Sequence, residues 1–310
     1  FLCSQMSGGR LYLSRSIHAC CTLVVETRML FVGASCEGST VRNFRIPACP
    51  SARHRIRRNC RSSSGNLTAV ADTTRTGSLR LFLDSAEIRD WKEWIPSGVF
   101  YGITTNPTLL YRAGLRVDLE SAKQLCESAQ ELGVSELQLQ ARGNSVDNTV
   151  RYSLMLHELQ QKAENAPRIV IKLPCTKIGL GAAAELSQRD IPVTITGVYA
   201  AHQVMCAIAV GAEYAAPYLG RMNDLGLDGF SQIEQMGACV STARSSLRIL
   251  VASIRSVDDI TRLATSPRAA GKLDTYTFSP GVADALINVP ATIAAAEAFD
   301  LDSLASLKTY

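Results

Sequence analysis

Eight short runs rich in β-branched and apolar residues, each followed by a helix-length stretch, organise the chain from Leu79 to Phe278. They are LRLFL (79–83), VFYGITT (99–105), SELQLQA (135–141), RIVIKL (168–173), PVTITGV (192–198), AEYAAPYL (212–219), LRILVASI (247–254) and DTYTF (274–278). Parallel strands need crossovers of that length, so the alternation predicts an α/β fold with a parallel sheet. Eight such units in about 230 residues match the count and size of a single (β/α)8 TIM barrel. An open doubly wound sheet would alternate in the same way, but no glycine fingerprint follows the first strand. The intervening stretches read as helices. Between a capping Asp118 and Gly133, residues Ala122, Leu125, Cys126, Ala129 and Leu132 form one apolar stripe, and Asn106-Pro107 makes a good cap and first-turn pair.

The formal charge of +4 conceals two segments of opposite sign. Residues 1–78 hold 11 Arg, no Lys and three acids, for a net +8, which leaves −4 on residues 79–310. An Arg-rich, Ser-rich, acid-poor opening reads as a disordered transit leader, removed between about Arg61 and Leu79, ahead of one barrel domain at 79–310. Its Ser content places a plastid ahead of a mitochondrion. The cytoplasm follows instead if the leader is an artefact of the reading frame, since Phe1 is not an initiator. A basic arm for nucleic acid is the rival, but aromatic interleaving is sparse, so no nucleic-acid partner is expected. The apolar patch at 22–34 is broken by Glu26 and Arg28 and falls short of the roughly 20 residues that span a bilayer, so no membrane partner is expected either. Four cysteines outside the leader, Cys126, Cys175, Cys206 and Cys239, are too scattered for a disulfide framework or metal spacing.

In a β/α barrel, alternate strand residues face the helices and the barrel interior. Leu137 and Leu139, Ile169, Ile171 and Leu173, and Val193 and Ile195 share the helix-facing phase. Gln138 and Gln140, Val170 and Lys172, and Thr194 and Thr196 therefore point inward. The same phase puts Asp84, Thr104, Asn106, Tyr218, Ser253 and Arg255 at the C-terminal strand ends, where barrels keep their chemistry. Taken alone, Lys172 reads as a strand-end lysine whose amine snorkels to water. With inward Gln, Thr, Tyr and Asp around it, it reads as a buried amine, partly neutral and able to attack a carbonyl.

The segments LFLDSAEI, GITTNPTLL, IVIKLPCTKIGL, PVTITGVYAAHQ, GAEYAAPYLGRMND and LVASIRS resemble, in order and spacing, the transaldolase family, and most closely its small fructose-6-phosphate aldolase branch. The resemblance implies catalytic residues Lys172 (Schiff-base lysine), Asp84 (proton transfer at the C4 hydroxyl) and a water-orienting set of Gln140, Thr196 and Tyr218. It implies substrate contacts from Thr104, Thr105 and Asn106, and a phosphate site of Arg221, Ser253 and Arg255. Gln140 and Tyr218 match the aldolase branch, whereas transaldolases proper carry Glu and Phe there.

A class I aldolase is therefore expected, cleaving or forming fructose 6-phosphate from dihydroxyacetone and glyceraldehyde 3-phosphate without metal or other cofactor. The alternatives are a true transaldolase of the pentose phosphate pathway, passing the three-carbon unit between sugar phosphates, and a non-catalytic sugar-phosphate-binding barrel. The resemblance further implies a homo-oligomer, pentamer or decamer.

Overall fold

The computed structural model describes residues 79–161 and 165–307. The expected leader at 1–78 lies outside the described residues. All eight expected strands form, as β1 Arg80–Asp84, β2 Gly102–Thr104, β3 Glu136–Gln140, β4 Arg168–Pro174, β5 Val193–Val198, β6 Tyr214–Pro217, β7 Arg248–Val251 and β8 Thr275–Phe278. They pair in parallel, each with its sequence neighbours, and β1 closes on β8, giving a (β/α)8 barrel. The helices are α1 Ile88–Trp94, α2 Pro107–Arg112, α3 Leu119–Glu131, α4 Val146–His157, α5 Lys177–Ser187, α6 Ala201–Ala209, α7 Leu219–Asp224 and α8 Gly229–Thr242. After them come α9 Val257–Ala264, α10 Pro280–Ile287 and α11 Pro290–Leu307.

Two separate apolar regions follow from strand alternation. The helix-facing phase supplies Leu83, Ile103, Leu137, Ile169, Ile171, Leu173 and Ile195, all fully buried in one continuous layer between sheet and helices. Inside the barrel a much smaller cluster contains Phe82, Val170, Tyr214, Ala216 and Leu250. The helix stripes meet the outer layer as expected, with Ala122, Leu125, Cys126 and Ala129 of α3 buried. Asp118 caps α3 by accepting from Ser121 N at 2.9 Å, and Asn106 Oδ1 accepts from Thr108 N and Leu109 N at 3.0 Å to open α2.

Two strands end earlier than the apolar runs suggest. Tyr218 leaves β6 as a single bridge to Ala252 and becomes the N-cap of α7. On the β7 side, the left-handed φ of +57° at Ser253 turns the chain out of the sheet. Of the apolar continuations, Leu219 opens α7, while Ala252 and Ile254 lie beyond the end of β7.

The N-terminal floor of the barrel is polar and closed. Glu136 is fully buried there and accepts from Gln138 Nε2 at 2.9 Å, Arg168 Nη1 at 2.9 Å and the Tyr214 hydroxyl at 3.2 Å. Arg80 donates to the Tyr214 hydroxyl, and Arg168 also bridges to Glu213. Burial pushes the Glu136 carboxyl above the usual carboxylate range, while Arg168 and Arg80 oppose the shift. A buried charge without such partners would cost several kcal/mol, so the network keeps this end shut with its charges matched. The opposite end carries the open cavity.

At the far end of the chain, α11 contains no buried residue and leaves Phe299, Leu301, Leu304 and Leu307 exposed. Among the described residues no single helix is long and apolar enough to cross a membrane.

Gly102 sits where the wall is tightest. A β-carbon there would lie 2.4 Å from the Glu136 carbonyl oxygen and 2.8 Å from the Phe82 ring. The backbone oxygen belongs to the β2–β3 ladder and has little freedom to move. Gly102→Ala is therefore expected to destabilise the barrel by about 2 kcal/mol or more, measured as a lower urea midpoint at unchanged slope. An unchanged midpoint would show that the wall yields.

Candidate active site

The cavity at the C-terminal end of the strands has a volume of about 210 Å³. Its lining includes Asp84, Asn106, Thr108, Arg112, Lys172, Tyr218, Arg221, Ser253 and Thr277. Lys172 reaches it from the inward phase of β4. Its side chain is nearly fully buried, and Nζ donates to the Thr105 carbonyl at 2.9 Å. Burial pulls the Lys172 amine below the ordinary lysine range, and the Asp84 carboxylate partly offsets that pull.

Asp84, the last residue of β1, is held from one side. Thr104 Oγ1 donates to Asp84 Oδ1 at 2.7 Å and is itself in hydrogen-bond contact with the hydroxyl of Thr277 on β8. Burial raises the carboxyl above its usual range; Lys172, the Thr104 hydrogen bond and Arg221 oppose the rise. A buried amine and a half-buried carboxyl thus share one cavity, each with its charged form disfavoured by burial and supported by the other. Such displaced pairs gather at reactive sites.

Across the cavity the Thr196 and Tyr218 hydroxyls lie 2.7 Å apart. The Tyr218 ring is fixed edge-on against Tyr199, with centroids 5.7 Å apart, and by the Arg221 guanidinium 4.9 Å over its face. Ser253 and Arg221 are brought to the same side by close loop packing. Gly220 N donates to the Ser253 carbonyl at 2.9 Å, and a β-carbon on Gly220 would meet that oxygen at 2.6 Å. The left-handed backbone of Ser253 costs on the order of 1–3 kcal/mol in a residue with a side chain, a form of strain found at binding sites.

The expected residues divide into three groups. Lys172, Asp84, Asn106, Tyr218, Arg221 and Ser253 line the cavity together, with Thr196 bonded behind Tyr218. Thr104 and Thr105 are fully buried beneath it rather than open to a substrate. Thr104 holds Asp84, while the Thr105 hydroxyl donates to the Gln138 carbonyl at 2.9 Å and its own carbonyl anchors Lys172. The last two, Gln140 and Arg255, do not line this cavity. Gln140 is the register partner of Lys172 but borders a neighbouring cavity of about 20 Å³ with Thr105 and Leu139. Arg255 lies on the surface, its guanidinium paired with Asp224. Of the residues not foreseen, Thr277 follows from the inward phase of β8, where Thr275 and Thr277 alternate with Tyr276 and Phe278. Arg112, at the last turn of α2, had no comparable sequence signal. Among the described residues, no group of three or more His, Cys, Asp or Glu side chains is arranged to hold a metal ion.

Comparison with known proteins gives this constellation a lineage. A family model described as transaldolase/fructose-6-phosphate aldolase matches residues 81–309, nearly the whole barrel. The chain belongs to the transaldolase/fructose-6-phosphate aldolase family. A protein of Exiguobacterium sibiricum named "Probable transaldolase" is 31% identical over 227 residues, which cover 72% of this chain and 97% of the relative. Another of that name, from a Chelativorans species, is 30% identical over 224 residues, covering 72% of this chain and 96% of its own length. One from Kosmotoga olearia is 33% identical over 187 residues, or 60% of this chain and 81% of the relative. This member of the transaldolase/fructose-6-phosphate aldolase family is accordingly an enzyme of the aldolase/transaldolase type, acting in carbohydrate metabolism.

The Thr104 contact sets a test of the site's electrostatics. Its hydrogen bond favours the Asp84 carboxylate, so Thr104→Val should raise the carboxyl pKa further and move its titration to higher pH. Carbon NMR of a chain labelled at the Asp carboxyl groups follows this directly. A titration that stays in place would mean Thr104 does not support the carboxylate.

Proposed function

We propose that the chain is a Schiff-base aldolase that reversibly cleaves a ketose phosphate such as fructose 6-phosphate into a dihydroxyacetone unit and glyceraldehyde 3-phosphate. The observation that carries this reading is the buried Lys172 amine, held below its ordinary pKa in the same cavity as Asp84. A neutral amine attacks the C2 ketone and water leaves, giving an imine that accepts electrons once protonated. Asp84 takes the C4 hydroxyl proton as the C3–C4 bond breaks. The bonding electrons pass into the iminium to give an enamine on Lys172, and the aldehyde departs. Protonation of the enamine at C3 and attack of water at C2 release dihydroxyacetone and restore the amine.

Arg221 and Ser253 suit the sugar phosphate, a guanidinium fork and a hydroxyl being natural partners for phosphate oxygens. The contact between Thr196 and Tyr218 supports a role in orienting water for the dehydration and hydrolysis steps. An ordered water that intercepts the enamine favours release over transfer.

A second reading, true transaldolase, is favoured by the names of the relatives, "Probable transaldolase". In it the enamine attacks an acceptor aldose phosphate such as erythrose 4-phosphate instead of being protonated. The two readings separate by product analysis on fructose 6-phosphate with and without acceptor. The aldolase reading expects free dihydroxyacetone without acceptor; glyceraldehyde 3-phosphate that accumulates only when acceptor is present, with the three-carbon unit recovered on the acceptor, would favour transfer.

Both readings expect Lys172→Met to lose turnover while the barrel still folds, because methionine fills a similar volume without an amine. Turnover by that variant would contradict both. Arg221→Ala should raise KM for phosphorylated substrates by roughly ten- to a hundredfold, as expected for a charge-assisted contact, with much smaller effects on unphosphorylated ones. Equal losses on both would make Arg221 structural.

A further inference from the structure

One strand end, that of β8, lies between the phosphate side of the cavity and Asp84. Arg221 and Ser253 follow β6 and β7, Asp84 closes β1, and the strands run β6, β7, β8, β1 around the barrel. Thr277 and Ser279 are the hydroxyl residues that this end adds to the lining. Thr277 is buried, and its hydroxyl is engaged with Thr104. Ser279 is exposed. The β1–β8 ladder pairs Leu83 with Phe278, so Asp84 and Ser279 come next along the two strands. Extended backbone at Ser279, with φ −69° and ψ 162°, carries the inward phase of Thr275 and Thr277 one step further. Ser279 is also the N-cap of α10, yet its hydroxyl does not cap the helix, and no described residue hydrogen-bonds to that hydroxyl. By contrast, Asn106, Asp118, Ser145, Thr176, Asp228 and Ser256 each accept from the first turn of the helix they open. The Ser279 hydroxyl is left for a ligand in the cavity.

We propose that Ser279 is a specificity-determining residue that hydrogen-bonds the C5 hydroxyl of the ketose phosphate, the group that becomes the C2 hydroxyl of the released glyceraldehyde 3-phosphate. The proposal rests on the reading that Arg221 and Ser253 hold the phosphate and Asp84 meets the C4 hydroxyl. Neighbouring strands are about 4.8 Å apart, so one strand end fits between the loop after β7 and the end of β1. C5 is the one hydroxyl-bearing carbon between C4 and the phosphate ester at C6, and the strand end between Asp84 and Ser253 is that of β8. A serine hydroxyl with no internal partner can donate to the C5 hydroxyl or accept from it. A site built to hydrogen-bond a hydroxyl rejects the ligand that lacks it, so Ser279 reads both the presence and the configuration of the C5 group.

Calorimetry on the full chain with ligands that have no ketone measures this contact apart from the Lys172 chemistry. Glucitol 6-phosphate carries the C5 hydroxyl as fructose 6-phosphate does, 5-deoxyglucitol 6-phosphate lacks it, and L-iditol 6-phosphate carries it inverted. Glucitol 6-phosphate is expected to bind roughly three- to tenfold more tightly than either of the others, as for one neutral hydrogen bond. Ser279→Ala should erase that difference, and Ser279→Thr should keep it. Thr277→Val acts through Thr104 and Asp84 at C4, so it should leave the difference in place, whereas Arg221→Gln should weaken all three ligands. Because the hydroxyl caps nothing, Ser279→Ala should also leave the urea midpoint unchanged, unlike an ordinary N-cap replacement.

Equal affinities for the three ligands in the unaltered chain would overturn the proposal. So would a difference that survives Ser279→Ala or disappears in Thr277→Val, and so would a lowered urea midpoint for Ser279→Ala, which would show that the hydroxyl serves the helix. If Arg221→Gln leaves binding unchanged, the phosphate lies elsewhere and the C5 assignment falls with that orientation. Since none of these ligands forms an imine, failure here leaves the Schiff-base reading standing, and failure of Lys172 chemistry leaves the binding result unaffected.

Discussion

Removing one lysine amine from water organises the catalytic end of this barrel. Lys172 points into the barrel, inside the closed wall of the sheet, and burial disfavours its charged form. The Thr105 carbonyl gives the amine a fixed hydrogen bond, and Asp84 supplies the only acid among the described lining residues. Each arrangement around the cavity follows from that pair. Thr104 and Thr277 brace the carboxyl from β2 and β8, Thr196 and Tyr218 set a hydroxyl pair opposite, and Arg221 adds a guanidinium over the Tyr218 ring. The sealed floor contributes as well. Glu136, Arg168, Arg80 and Tyr214 satisfy one another at the N-terminal end, which leaves the C-terminal end as the open mouth.

Much of this was legible from the alternation along single strands. The period of two separates Ile169, Ile171 and Leu173 from Val170 and Lys172, and the structure keeps that division, with the first three in the outer layer and Val170 in the inner cluster. The same rule brings Lys172, Thr196 and Asp84 to one end, and the helix caps at Asn106 and Asp118 are local chemistry within four residues. Eight strands with helix-length crossovers leave few topologies open, so the barrel could be expected without knowledge of any long-range contact.

What could not be read lies where alternation stops. Thr104 and Thr105 are on the edge of β2, and whether a threonine there meets substrate or backbone depends on neighbours distant in sequence, Asp84 and Thr277 for one and Gln138 and Lys172 for the other. Beyond the strand ends, phase carries no information. Arg255 and Ser253 are two residues apart, yet the left-handed turn at Ser253 sends one to Asp224 on the surface and leaves the other on the cavity. Arg112 shows the reverse case, an ordinary last-turn arginine in sequence that the fold places on the rim facing the reactive pair. Gln140 keeps its ladder position beside Lys172 but borders the smaller cavity, whereas Tyr218, bonded to Thr196, lines the larger one.

Schiff-base chemistry at this site requires that Lys172 become covalently joined to a ketose. Borohydride reduction of the full chain in the presence of fructose 6-phosphate, followed by peptide mapping, measures this directly, because reduction turns a transient imine into a stable amine. The result predicted here is a reduced adduct on the peptide that carries Lys172 and on no other lysine. An adduct on Lys177, or no adduct on any lysine, would contradict it.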